Sequence, residues 1–363
     1  VTLVKVFAVS ASFIVWLLPT SCGVDSDVGV DQEFASTPNV REQTIAPEGK
    51  VPAAAISEVA VDQPVALLTE LVEDAVDLVE PLAFTVVTYN VENLFDTDDF
   101  SMFDDYKVDS GYTPRKLLTK LQGITSVLKS VNDGNAPEIL LFQELEADFT
   151  PESTVEDYDA FLEMYSDITV ADMLDAGWSD AYAGFPASAW LLKALADEGL
   201  TGYHVATAEY RGTGSGSAHT NAIFSTFPII SHEAHPIVMA RDIIEAELEV
   251  EGESLFVYVN HWKSGASNPD REPIRVENAK VLRSLIDARL ESDPQADIII
   301  AGDLNSHYNH SALFPEIVTG VNDILGSSGS ESFYETDLYN LWFELAPDCL
   351  LYTSDAADDI PGV

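Results

Sequence analysis

Two periods of apolar and polar positions run through the chain. Four short runs are almost continuously apolar, rich in β-branched and aromatic residues, and stop in polar ones: 84–90 (Phe-Thr-Val-Val-Thr-Tyr-Asn), 138–144 (Glu-Ile-Leu-Leu-Phe-Gln-Glu), 255–261 (Leu-Phe-Val-Tyr-Val-Asn-His) and 297–305 (Asp-Ile-Ile-Ile-Ala-Gly-Asp-Leu-Asn). Runs of this kind predict strands buried on both faces. Between them the period lengthens. Residues 114–129 carry Leu117, Leu118, Leu121, Ile124, Val127 and Leu128, and residues 273–290 carry Ile274, Ala279, Leu282, Leu285 and Ile286, which predicts two helices. Strands alternating with helices predict a layered α/β domain that begins near Leu82. Residues 150–200 fit this rhythm less well. Two helical pieces, 158–165 and 187–196, flank an aromatic loop, and the stretch reads as an insertion, either shaping substrate access or elaborating the surface. Helical spacing of Val65, Leu68, Leu71, Val72, Ala75, Val76 and Val79 predicts a short amphipathic helix. The glycine-rich stretch 211–217 has no helix start after it, so it reads as a flexible loop and not a phosphate cradle.

The N-terminus has a different pattern. Lys5 precedes a short apolar run that ends at Leu18-Pro19-Thr20-Ser21-Cys22. The run suits a signal peptide over residues 1–21 and is too short to span a bilayer. A small residue before Cys22 resembles a bacterial lipoprotein processing site, so the expectation is an exported protein, either secreted or attached to the membrane through a lipidated Cys22. Residues 22–81 are acidic and poor in aromatics, and they read as a flexible tether that includes the short helix. The only other cysteine is Cys349, which excludes a dense disulfide framework. Charge narrows the choice of partners. The chain has 62 Asp and Glu against 17 Lys and Arg, a net charge of −45, and such a surface repels polyanions at low salt. Tight non-specific binding of nucleic acid is thereby disfavoured, although a cation and local basic residues can offset the field at one site.

Each polar strand end, taken alone, suits a turn. Their recurrence at four apolar runs points to a site, because converging strand ends can set an amide, a carboxylate, an imidazole and an Asp-x-Asn pair around one point. That set suits phosphoester hydrolysis. A hard cation needs only one or two carboxylates, with Glu144 one candidate, and it neutralises charge on phosphoryl oxygens. Asp303 can orient and deprotonate water, Asn305 and Asn90 can position water and phosphate, His261 can donate to a phosphate oxygen, and Lys263 adds a positive charge. The same chemistry leaves Asp96 and Glu146 open as alternative ligands. The segments Tyr89-Asn90-Val91-Glu92-Asn93-Leu94-Phe95-Asp96, Gln143-Glu144, Asn260-His261-Trp262-Lys263-Ser264 and Gly302-Asp303-Leu304-Asn305, in this order, resemble the endonuclease/exonuclease/phosphatase family. The resemblance implies a four-layer α/β sandwich over 82–348 with two central mixed sheets. It also implies Mg2+- or Mn2+-dependent cleavage of phosphate esters. For matching positions it implies Glu144 as metal ligand, His261, Asp303 and Asn305 as catalytic residues, and Asn90 and Lys263 as phosphate-binding residues.

The family pattern continues with an Asp inside an apolar strand and a Ser-Asp-His-like segment, and neither is found here. After Pro347 the text turns into 349–363, which resembles nothing in the family and is expected to be a non-native tail. The sandwich is accordingly expected to be incomplete at its C-terminus, with an uncovered strand edge and weak activity. The leading expectation is an extracellular nuclease or phosphodiesterase acting on DNA, RNA or small esters. A lipid or sugar-phosphate phosphodiesterase and a non-catalytic surface binding protein are the alternatives. No protein partner is implied. Arg115, Lys116, Lys120, Lys263, Arg271 and Arg275 are the basic residues available to offset the acidity, and Trp262 is expected to pack rather than stack on a base.

Overall fold

The computed structural model describes Leu3–Ser10, Phe13–Ile14 and residues 83–341, apart from 151, 153–154, 209–216, 267, 307–314, 316–319 and 328–337. The tether with its helix, Cys22, Cys349, the glycine-rich loop and the tail lie outside the described residues. In chain order the main elements are β1 (Leu3–Ser10), β2 (Phe13–Ile14), β3 (Ala83–Leu94), α1 (Pro114–Ser130), β4 (Ile139–Glu146), α2 (Tyr158–Met164), α3 (Val170–Leu174) and α4 (Ala187–Asp197). They continue with β5 (His204–Thr207), β6 (His219–Ser225), β7 (Ile229–His235), β8 (Ile243–Val250), β9 (Glu253–His261), α5 (Glu272–Ser292), β10 (Asp297–Asp303) and α6 (Val321–Leu325).

Among the described residues the strands form two sheets, ordered β2-β1-β3-β4-β6-β5 and β10-β9-β8-β7. Both are mixed: β3 runs parallel to β4 and β9 to β10, while β4/β6 and β8/β9 are antiparallel. Side-chain alternation sorts the apolar residues onto opposite faces. Phe84, Val86, Ile139 and Leu141 of the first sheet join Ile244, Ala246, Val257 and Val259 of the second in one core between the sheets. Val87, Tyr89, Leu140 and Phe142 face the other way, onto Leu117, Leu121, Ile124 and Leu128 of α1 and Trp190, Leu191 and Leu195 of α4. Phe256 and Tyr258 point away from the shared core and meet Ala279, Leu282 and Ile286 of α5 and Val321 and Leu325 of α6. Helix, sheet, sheet, helix is the four-layer α/β sandwich expected from the sequence.

Local chemistry explains the helices. In α1, Pro114 opens the first turn and Thr113 accepts a hydrogen bond from the Lys116 N–H at 3.4 Å, while the leucine stripe faces the sheet. Helix α4 corrects the reading of 150–200 as surface elaboration. Residues 187–195 are all buried, including Lys193, whose ammonium pairs with Asp197, so this segment is part of an outer layer. Strand β10 also departs from expectation. It lies at an edge of its sheet and is only half-buried, because its apolar run pairs with β9 alone among the described strands. At the N-terminus, Leu3–Ser10 of the stretch read as a signal peptide lie as a strand parallel to β3, with Ser10 opposite Asn90, and its residues 15–21 lie outside the described ones. A short run of Val, Phe and Leu suits a strand as well as an export signal, and the edge of β3 offers unpaired backbone groups. Among the described residues no helix is long and apolar enough to cross a membrane.

One polar cluster ties three strands to α5. Glu245 accepts from Tyr258 Oη and Arg289 NH2, each at 2.9 Å, and from His235 Nε2 at 2.8 Å, while the Arg289 guanidinium lies 3.7 Å from the Phe256 ring centroid. Burial alone would raise the Glu245 pKa, but the bonds from His235, Arg289 and Tyr258 outweigh it and hold the carboxyl at about 2. A depressed carboxyl pKa stabilises the fold above its unfolded value of about 4.3, and that contribution is lost as pH falls through the folded value. Glu245→Gln should therefore cost on the order of 2–3 kcal/mol near pH 7, with the difference from wild type closing as pH drops from about 5 to about 2. Urea denaturation of both proteins across that range checks it.

Candidate functional site

Strands β3, β4, β9 and β10 bring their C-terminal ends to one place. Register fixes the pairs: Asn90 lies opposite Gln143 across β3/β4, and Asp303 opposite His261 across β9/β10. By alternation Asn90, His261 and Asp303 share the face of Val86, Val259 and Ala301, the face turned toward the other sheet. Glu144 does not. It has the parity of Leu140 and Phe142, which face the helices. A bulge changes its direction. The β4/β6 register shifts between Phe142 and Leu145, and Glu144 takes a left-handed φ of 65°. A matching shift interrupts β3/β4 between Asn90 and Leu94, with Glu92 and Asn93 at φ 54° and 66°. Strained backbone of this kind in non-glycine residues is concentrated at functional sites.

The result is a compact polar cluster. The Asn90 side-chain amide donates to Glu144 Oε1 at 3.0 Å and to Asp303 Oδ2 at 3.1 Å, joining carboxylates from different sheets. His261 Nε2 lies 3.6 Å from Glu144 Oε1 and 3.9 Å from Asp303 Oδ2. The Asn305 N–H donates to Asp303 Oδ1 at 3.0 Å, and its side-chain amide donates to the Trp262 carbonyl at 3.2 Å. Asn305 therefore sits one step behind the cluster and holds Asp303. Gly302 has φ 125°, and a Cβ there would come within 2.1 Å of the Asn260 carbonyl oxygen, so only glycine lets β10 approach β9 this closely. Trp262 is fully buried and donates to Asn260 Oδ1 at 3.1 Å, which is the packing role expected of it. Lys263 is half-buried in the loop two residues beyond His261.

Two residues absent from the sequence reading belong here. Arg241, just before β8, is close enough to Glu144 and Asp303 to affect their electrostatics. Its NH2 donates to His219 Nδ1 at 3.1 Å, and His219 Nε2 in turn meets Asn93 Oδ1 at 2.7 Å. Burial, then Arg241 and His261, push His219 down to about 2, so its Nδ1 accepts and its Nε2–H donates. Burial, then Arg241, also holds His261 well below the usual histidine range. Glu144 shifts the other way. Burial raises its pKa, helped by Asp303 and opposed by the Asn90 hydrogen bond and Arg241. The sequence carried only a faint signal of Arg241: a lone cation at the start of an acidic strand.

The other basic residues are largely committed elsewhere. Arg115 pairs with Asp175 at 2.5 Å. Lys120 donates to the Glu92 carbonyl at 2.8 Å, near the site. Arg275 is fully buried and unavailable to a substrate. Asp96 and Glu146, the alternative ligands, bond to each other. They are buried together, with the Asp96 N–H donating to Glu146 Oε2 at 2.9 Å, and burial plus mutual repulsion raises the Asp96 pKa.

Among the described residues no three or more His, Cys, Asp or Glu side chains form a metal cage. Mg2+ does not require one: it takes one or two carboxylates and keeps its waters. Glu144 and Asp303 supply two carboxylates bound to one amide, and burial penalises the charge of Glu144, so the residues present fit a hard cation.

A family model described as the Endonuclease/Exonuclease/phosphatase family matches residues 194–345, which include the His261 and Asp303 segments. No curated protein sequence matches the chain. Solved structures with some likeness include TDP2 from Caenorhabditis elegans (17% identity, 54% of this chain and 44% of that chain, TM-score 0.32). Others are a β-hairpin deletion mutant of beta toxin from Staphylococcus aureus (15%, 65% and 72%, 0.38) and sphingomyelinase C from Streptomyces griseocarneus (16%, 62% and 66%, 0.36). The chain thus spans less than half the length of that TDP2 chain. The family match over 194–345 thus falls on the part of the sandwich that carries the His261 and Asp303 strand ends.

Proposed function

We propose that this chain is an exported, Mg2+- or Mn2+-dependent phosphodiesterase of the nuclease type that hydrolyses phosphate esters with water. The likeness of residues 194–345 to the endonuclease/exonuclease/phosphatase family supports a phosphoric-ester hydrolase. The observation that carries the finer reading is the convergence of Asn90, Glu144, His261 and Asp303 through one amide and two carboxylates. Glu144, with Asp303 beside it, would hold the cation, which when bound supplies neutralisation of charge on the phosphoryl oxygens. Arg241 and Lys263 add positive charge where a phosphate must enter an acidic molecule. Asp303, fixed by the Asn305 N–H, orients a water and accepts its proton. Asn90 aligns both carboxylates. His261 is neutral because it is buried beside Arg241, so it acts as a hydrogen-bond donor to a phosphate oxygen and not as a charged acid. Export, and attachment through Cys22, rest on the N-terminal pattern.

A second reading concerns the substrate. Phe100, Met102 and Phe103 are exposed, and the Phe103 ring lies 5.2 Å from His219, which links Arg241 to Asn93. An apolar rim on a molecule of charge −45 favours a diester with an apolar portion, such as a lipid phosphodiester, over a long polyanion.

Glu144→Gln should lower kcat/KM on a bis-aryl phosphodiester by about 10²–10³-fold. It should also abolish the rise in thermal stability that Mg2+ gives the wild type, about 2.7 kcal/mol at 100 times Kd. Persistence of metal-dependent hydrolysis in Glu144→Gln would show that Glu144 is not the ligand. Charge gives a separate outcome. Cleavage of DNA relative to the small diester should increase as ionic strength rises from about 0.01 to 0.15 M, because the Debye length falls from about 30 to about 8 Å and self-repulsion is screened. A ratio that falls with salt would indicate a basic DNA-binding surface instead.

A further inference from the structure

The loop after β9 turns its carbonyl groups onto a buried arginine. Arg275, in the first turns of α5, is fully buried. Its NH1 donates to the Lys263 carbonyl at 3.1 Å and the Gly265 carbonyl at 3.0 Å, its NH2 to the Ala266 carbonyl at 3.3 Å, and its Nε to Glu272 Oε2 at 2.9 Å. Arg271 reaches the intervening Ser264 carbonyl at 3.4 Å. Glu272 is itself buried and supplies the counter-charge that keeps the guanidinium tolerable there. Four acceptors in one shallow bowl match the planar fork of a guanidinium and no other side chain, since a lysine ammonium offers three donors from a single point. The loop so held starts one residue after His261 and includes Lys263. A buried Arg–Glu pair is weak support for stability, because apolar residues of the same volume often serve as well. The use of three donors on one loop therefore points to a role in shaping that loop.

We propose that Arg275 is a positioning residue for phosphate binding: its guanidinium holds the backbone at Lys263, Gly265 and Ala266 and so sets where the Lys263 ammonium meets a substrate phosphate. This rests on the function proposed above. Arg275 touches no reacting atom and acts through Lys263.

The test compares the full-length wild type with Arg275→Lys, Lys263→Ala and the double variant. The readouts are Mg2+-dependent hydrolysis of bis(p-nitrophenyl) phosphate and amide hydrogen exchange over 262–266. Arg275→Lys should lose on the order of 10–100-fold in kcat/KM, mostly through KM, because a displaced binding group costs this much. In the Lys263→Ala background the same substitution should cost little more, since its target is already gone. Exchange over 262–266 should quicken in Arg275→Lys while the rest of α5 keeps its protection. Should Arg275→Lys fail to fold, Glu272→Gln keeps the guanidinium, loosens its anchor and should show a smaller loss of the same kind. Losses that multiply in the double variant, an unchanged kcat/KM, or unchanged exchange over 262–266 would each overturn the role of Arg275. A wild type with no turnover on any phosphodiester would instead remove the proposed function, and this role with it.

Discussion

Burial of the inner faces of the two sheets against each other is the constraint on which the site depends. Phe84, Val86, Ile139 and Leu141 pack against Ile244, Val257 and Val259, and no polar contact could set the distance between the sheets as firmly. Once that distance is fixed, strands β3 and β4 from one sheet and β9 and β10 from the other finish at the same edge. Asn90 can then reach Glu144 on its own sheet and Asp303 on the other with a single amide group. The site is therefore a product of core packing.

Electrostatics follow from the same burial. Two histidines and an arginine stand beside the carboxylates, yet burial and Arg241 keep both histidines neutral. Arg241 is thus one fixed positive charge that acts on Glu144. His219 accepts from that guanidinium and passes the constraint on to Asn93 at the β3 bulge. A strongly acidic protein thereby keeps a small region that holds a fixed cation and oriented donors.

Much of this was legible in the sequence. The four strands that form the site announce themselves because each is an apolar run with a polar end, a pattern that depends only on neighbouring residues. What escaped reading depends on contacts distant in sequence. Arg241 lies in a loop whose place is set by the pairing of β8 with β9. Residues 187–195 look like part of an insertion until the leucines of α1 are seen against them. Arg275 reads as a surface cation, and only the path of the loop at 263–266 shows it to be buried. The run 3–10 suits an export signal and a strand equally, and local pattern holds nothing to separate the two.

The bulge at Glu144 has a consequence for how such a chain can change over generations. Loops at the rim tolerate gain or loss of residues with little thermodynamic effect. Between Phe142 and Leu145 one inserted or deleted residue would return Glu144 to the helix-facing side and exchange it for a neighbour, and between Asn90 and Leu94 it would break the matching shift in β3. Substitutions elsewhere in the strand can drift, but length here cannot. Lineages that diversify this scaffold are thus expected to vary their loops freely while these two short spans keep an invariant residue count.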